Sequence, residues 1–576
     1  MKYPIGMQSF DQIRQEGYVY VDKTALVYDL IKNGKIYFLS RPRRFGKSLL
    51  LSTLKHYFLG HKELFRGLAI DELETEWKVY PVFHLDFNGG DFTVCGALEQ
   101  RLNEYVTQWE RIYGADEIEV TLGTRFRGVI QRAYQQTGQR VVVLIDEYDK
   151  PILDVLDTKE EYVDELGNRI LMEERHRNIL KGFYSTFKAA DADLQFVMLT
   201  GVTKFSQVSV FSGFNQPKDI CMDKRYQALC GITQEELETV FAEPIREFAN
   251  ELNVDDHEMI SMLKRQYDGY HFSPAMEDIY NPFSLLNAFD MKMLRDYWFA
   301  SGTPTYLVRL LNHTNEQIND LTGKYYDASE FIDYKADVER PLPMIYQSGY
   351  LTVKGYDQTT ESFLLDFPNN EVRKGLLSLI ASGYLKDGVE KPESWVRNAF
   401  RQLNRGEVDP FCESLTAFLA SIPYDSHDGL KDIKATEKYF QYTFYLLLRL
   451  IGVYCLAIKV EDRQSYGRVD CTLELKDYVY IFEFKMDGSA DEALMQIEQR
   501  GYAKPYLNDS RQVLRIGMNF SSETRTIAEW MVREIFILLI AIQPTDGLFD
   551  KFPRHLTHGS AGRLLFGLQR FVFIST

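Results

Sequence analysis

Short runs of consecutive apolar residues, each closed by a polar or glycine-containing turn, punctuate the first third of the chain. Ile36-Tyr37-Phe38-Leu39 reads as a buried strand, and residues 49–58 behind it space their apolar positions as a helix does. Residues 79–87 read as a second apolar strand, ending around Asp86 before the turn pair Gly89-Gly90. Residues 141–145 are all apolar and run straight into Asp146 and Glu147, as a strand buried on both faces does when it delivers acids at its C-terminal end. A further buried strand, 194–199, ends in Thr200-Gly201, and by chain order it belongs beside the strand that ends at Asp146. This alternation predicts an α/β domain with a mostly parallel sheet over residues 1–205.

Residues 206–400 are mostly helical by pattern, rich in Tyr and Leu and broken by Gly, Pro and Asn turns, which suits a lid or connector. Thr233 stands three residues before Glu236, the spacing of a capping box. Residues 267–272 form an aromatic turn whose His271 reads as packed or hydrogen-bonded, since no second His or Cys stands at metal spacing. Residues 401–534 carry two β-rich runs, 467–475 and 478–485, around the polar pair Lys476-Asp477, which predicts a hairpin. If it folds symmetrically, opposed residues sum to 953 and Asp470 faces Glu483. Alternation then puts Glu483 and Lys485 on one face, shared with Asp470. The last stretch, 535–576, opens apolar and loses periodicity, and no function is assigned to it.

A length of 576 residues predicts about three domains, and 45% hydrophobic with 26% charged residues is ordinary for a globular protein. The net charge of −17, from 66 basic and 83 acidic residues, excludes a whole-surface polyanion binder. Contact with DNA or RNA would need a local basic patch. Six scattered cysteines without a Cys-x-x-Cys pair read as core thiols in a reducing compartment. The start, Met-Lys-Tyr-Pro-Ile-Gly, lacks the apolar core of a signal peptide, and no run approaches the ~18 apolar residues of a membrane span. These features predict a cytoplasmic protein with no membrane partner, and the composition is compatible with a homo-oligomer.

Chemistry enters at Arg41-Pro42-Arg43-Arg44-Phe45-Gly46-Lys47-Ser48, between the first strand and its helix. A tight loop there turns its backbone N–H groups on a phosphate, and the helix N-terminus adds favourable partial charge. Lys47 would reach the β and γ phosphates of ATP, and Ser48 would help hold Mg²⁺. Asp146 would hold the hydration shell of that Mg²⁺, and Glu147 would polarise the attacking water. Arg41 occupies the position where the usual loop has glycine. Arg41, Arg43 and Arg44 either neutralise phosphates or form a solvated basic turn. Thr200 either senses the γ-phosphate or bonds to backbone. Arg175 and Arg177, on a polar helical segment, read as solvated.

The second constellation is Asp470, Glu483 and Lys485. Two adjacent carboxylates repel unless a cation lies between them, and Mg²⁺ suits a site of few carboxylates completed by waters and phosphate oxygens. Lys485 beside it would orient or deprotonate a water and offset transition-state charge. An exposed hairpin face with a Glu–Lys pair is the plainer alternative.

The loop, together with Tyr20-Val21-Asp22-Lys23-Thr24, Tyr280-Asn281-Pro282-Phe283-Ser284 and Ser301-Gly302-Thr303-Pro304, resembles the bacterial AAA-ATPase-like proteins that carry a C-terminal PD-(D/E)xK nuclease-type domain. Arg at the loop entrance is normal in that family. Gly467-Arg468-Val469-Asp470, then Glu483-Phe484-Lys485 after twelve intervening residues, is similar to the nuclease core. The resemblance implies a P-loop NTPase-type sheet, a helical middle region and a restriction-endonuclease-like C-terminal domain. It also implies Glu437 as a further acid, and Gln496 and Tyr502 as residues near the site or on an ordinary amphipathic helix. The expected activity is ATP binding or hydrolysis coupled to Mg²⁺-dependent cleavage of DNA or RNA. The alternative is a nucleotide-dependent switch whose nuclease-like fold does not cut.

Overall fold

The computed structural model describes all residues except 164–166, 206–216, 302–320, 333–340, 385–391, 422–432, 465–466 and 535–576. The tail and the 302–304 portion of the Ser301 motif therefore lie outside the described residues. Five strands form an all-parallel N-terminal sheet: β1 (Ile36–Ser40), β2 (Val82–Asp86), β3 (Val141–Asp146), β4 (Leu194–Gly201) and β5 (Lys218–Asp219), in the order β2-β3-β4-β1-β5. The strand ending in Thr200 thus separates the strand before the basic loop from the strand ending in Asp146. Every residue of β3 is buried, because helices cover both faces, and this explains its unbroken apolar run. The register aligns Leu39 with Thr200 and Asp86 with Asp146, so the polar strand ends share one edge. Ligands of open parallel sheets bind at that edge.

The middle region is mainly helical, as the pattern predicts. Its core is built on Leu237, Phe241, Phe248, Leu263 and Leu285. The capping box forms, and Glu236 also pairs with Lys23 at 2.6 Å, tying this region to the N-terminal segment. The pattern did not announce an antiparallel sheet of β6 (Lys324–Asp327), β7 (Thr352–Asp357) and β8 (Ser362–Asp366), ordered β6-β8-β7. His271 is buried between the Val353 carbonyl and Asp278, each at 2.7 Å, as its packed reading expects.

Helix α2 (Asn370–Tyr384) packs along α3 (Ile433–Gly452), which leads into the C-terminal sheet. That sheet has the order β9 (Ala457–Gln464), β10 (Gly467–Glu474), β11 (Tyr478–Met486), β12 (Gln512–Ser521) and β13 (Thr526–Glu534). Only β11 and β12 pair in parallel, joined by α4 (Ala490–Arg500), which Ser489 and Glu492 cap. The fold is thus α/β: a parallel P-loop-type sheet, a helical middle and a mixed C-terminal sheet. Cys221, Cys230, Cys412 and Cys471 are buried and Cys455 is half-buried, whereas Cys95 is exposed and departs from the core-thiol reading. Among the described residues no helix is long and apolar enough to cross a membrane.

Candidate functional sites

Leaving β1, the chain turns over Arg41 to Gly46 and enters a twelve-residue helix, α1 (Lys47–Phe58). Gly46 adopts φ +90°, in the left-handed region that side chains disfavour, and nothing crowds it there. Arg44, also left-handed at φ +67°, is exposed, as is Arg43. Arg41 corrects the phosphate-facing and solvated readings alike. It is only 2% exposed and donates to the carbonyls of Ser40 and Cys221 at 2.9 Å, with its guanidinium 4.1 Å from the Phe272 ring centre. Its charge therefore braces the far side of the loop. Arg175 and Arg177 are likewise not simply solvated: each is ion-paired, with Glu99 and Glu173.

Lys47 is buried and donates to the Arg41 and Pro42 carbonyls at 3.0 and 3.1 Å, closing the loop on itself. Burial pulls its ammonium below the usual lysine range, opposed by Asp146, Glu147 and Asp149. Burial raises Glu147, with Lys47 opposing, and raises the fully enclosed Asp149 too. The Asp149 carboxylate accepts from the Val202 and Thr203 amides, 3.0 and 2.6 Å away. Asp146 accepts from the Thr200 hydroxyl at 2.7 Å, so Thr200 is fully buried and engaged with a carboxylate rather than with backbone alone.

Lys47, Ser48, Glu147 and Asp149 line one end of a cavity of about 430 Å³, with Arg43, Arg44 and Gly46 at its rim. Its other walls come from places that periodicity does not point to: Pro4–Gln8, Pro282, Phe283, Leu286, Trp298 and Phe299. The Asp-Glu-Tyr-Asp run and the Asn-Pro-Phe motif were the visible signals for Asp149 and Phe283. Ser48 on the lining and Asp146, which with its partner Thr200 is buried and is not on the lining, carry hard oxygen donors of the kind Mg²⁺ takes.

In the C-terminal sheet the hairpin folds about Lys476-Asp477. Cys471 pairs with Phe482, and Glu474 with Val479, the symmetric register expected. Asp470 and Glu483 follow at the end of that ladder, and Asp470 accepts from the Phe484 amide at 2.9 Å. Glu483 is 2% exposed. One of its oxygens accepts from the Gln496 amide, whose own oxygen accepts from Lys485; the other oxygen is buried with no hydrogen-bond partner among the described residues. Burial first, then Asp470, pushes the Glu483 carboxyl up to about 8, against Lys485 and Gln496. Gln496 reaches the site because α4 crosses β12 at Gly517, the parallel partner of Glu483, where a Cβ would lie 2.3 Å from the Ala490 carbonyl oxygen. Tyr502, buried nearby, also bonds Gln496.

Asp470, Glu483, Lys485 and Gln496 thus converge, and the orphaned Glu483 oxygen fits a divalent cation. The Glu437 side chain lies outside the described residues. Arg511, just before β12, pairs with Glu474 and Asp509, while Arg515 of β12 and Arg533 of β13 pair with Glu498.

Comparisons with known proteins agree with this architecture. Residues 4–211 match the family described as "Predicted AAA-ATPase", and residues 435–530 match the "PD-(D/E)XK nuclease superfamily". The chain belongs to the family of AAA-ATPase-like proteins with a C-terminal PD-(D/E)XK nuclease superfamily domain. It is 36% identical over 548 residues to the Azotobacter chroococcum mcd 1 protein described as "Uncharacterized protein in vnfD 5'region". The match covers 93% of this chain and 99% of that protein.

Proposed function

We propose that the chain binds Mg²⁺–ATP at the 41–48 loop and cleaves nucleic-acid phosphodiesters at Asp470, Glu483 and Lys485, with nucleotide state governing the cut. In this reading residues 1–205 form the nucleotide unit, 206–400 a lid and connector, and 401–534 the nuclease-type unit. The observation that carries it is the Glu483 oxygen that is buried without a partner among the described residues, beside Asp470 and Lys485. Leaving a buried carboxyl oxygen unpaired is expensive, and strongly perturbed acids of this kind cluster at functional sites.

At the first site, Lys47 would exchange the loop carbonyls for the β and γ phosphates, Ser48 and Asp146 would hold Mg²⁺, and Glu147 would polarise the water. At the second site, Asp470 and Glu483 would hold a divalent ion, which supplies positive charge against the charge developing on the phosphodiester. Gln496 fixes the orientation of the Glu483 carboxyl and of the Lys485 ammonium together. Lys485 positions the attacking water and offsets negative charge on the reacting phosphate.

The test incubates purified protein with plasmid and Mg²⁺, with and without ATP, beside Asp470→Ala. Cleavage by the parent and none by the variant is expected. Cleavage that the variant retains would reject the site.

A further inference from the structure

The nucleotide cavity and the carboxylate site lie on separate sheets, yet an unbroken series of contacts joins them. The Trp298 indole donates to the Arg43 carbonyl of the loop at 3.0 Å. The Trp298 backbone N–H donates at 2.6 Å to Glu371, which is 1% exposed at the start of α2. One turn on, the Phe299 ring rests on Gly375 so closely that a Cβ there would fall 2.2 Å from its Cδ2. Helix α2 packs along α3, and Phe444 of α3 meets Phe484 edge-on with ring centres 4.4 Å apart. The Phe484 amide donates to Asp470.

The loop end of this series has two arrangements available. Lys47 closes the loop by donating to the Arg41 and Pro42 carbonyls, next to the Arg43 carbonyl that Trp298 holds. When Lys47 turns to a phosphate, those two carbonyls lose their donor and the loop must readjust where Trp298 grips it. Packed interiors respond to such a change by moving whole elements rather than by deforming continuously.

Resting on the nucleotide-binding reading, we infer that Trp298 and Phe299, gripped by α2 through Glu371 and Gly375, transmit nucleotide occupancy from the phosphate loop to the Asp470 site. They act as positioning residues: α2 and α3 move as they move, and Phe484 resets the Asp470 carboxylate.

Hydrogen exchange on the full chain tests this, with and without Mg²⁺ and a non-hydrolysable ATP analogue whose binding is followed separately by calorimetry. In the parent, the analogue should change exchange in the loop, in α2 and α3, and in β11. In Gly375→Ala, which displaces Phe299, the change should be lost beyond the loop at saturating analogue. Trp298→Phe, which deletes the donor to Arg43 together with part of the ring, should behave alike if Gly375→Ala does not fold. Both expectations concern a difference on adding nucleotide, which a merely structural role would leave intact. A parent that binds the analogue with no change in α3, or a variant that transmits it as the parent does, overturns the inference. A parent that does not bind the analogue overturns the nucleotide reading itself, and the inference falls with it.

Discussion

Gly517→Ala should damage the carboxylate site without altering any of its side chains. The new Cβ would lie 2.3 Å from the Ala490 carbonyl oxygen and 2.9 Å from the Leu494 amide nitrogen. Ordinary contact begins at 3.4 Å, so α4 must lift by about 1 Å. Both obstacles are backbone atoms in the first turns of a capped helix, and no side-chain rotation relieves them. Overpacking of this kind costs about 1–3 kcal/mol. Gln496 rides on the same helix, so its bonds to Glu483 and Lys485 lengthen with the shift. Misplacing a site by about 1 Å lowers a rate by roughly 100-fold. Thermal unfolding and plasmid cleavage of the full chain measure the two effects. Gly355→Ala is the control, since its Cβ would meet Leu364 no nearer than 3.4 Å. A Gly517→Ala protein with parental stability and parental cleavage would refute the argued contact between α4 and the site.

Three further outcomes follow from the same geometry. Burial raises the Glu371 carboxyl from 4.5 to about 8, so the fold holds its neutral form; the contribution is fully present below pH 4.5 and lost as pH rises through 8. The loss totals ~5 kcal/mol, about 3 kcal/mol of it above pH 6, and Glu371→Gln should abolish that part of the decline in thermal stability between pH 6 and 9. Lys47→Ala should weaken ATP binding roughly 10- to 100-fold by calorimetry, because a charge-assisted bond to phosphate is removed; unchanged affinity would reject the loop assignment. Gln496→Ala should lower cleavage and metal affinity about 10- to 100-fold with little change in fold, since residues that orient ligands act on that scale. Parental values in both assays would show that Gln496 is an ordinary surface residue of α4.

Local signals sufficed wherever chemistry and structure depend on neighbours in the chain. The apolar run 141–145 ending in two acids, the Gly-Lys-Ser turn before a helix, and the hairpin about Lys476-Asp477 follow from burial, periodicity and turn chemistry within a few residues. The hairpin register followed as well, because alternate side chains of a symmetric ribbon share a face. What only the tertiary structure decided are approaches between distant segments. Arg41 turns inward because carbonyls near residue 221 and the Phe272 ring stand ready for it. The cavity takes walls from residues 4–8, 282–286 and 298–299, which no periodicity connects. Gln496 reaches Glu483 because a glycine 21 residues further on lets a helix lie against the sheet. Such contacts depend on how layers pack. A one-dimensional pattern records which face of an element is apolar, but not which other element will cover it.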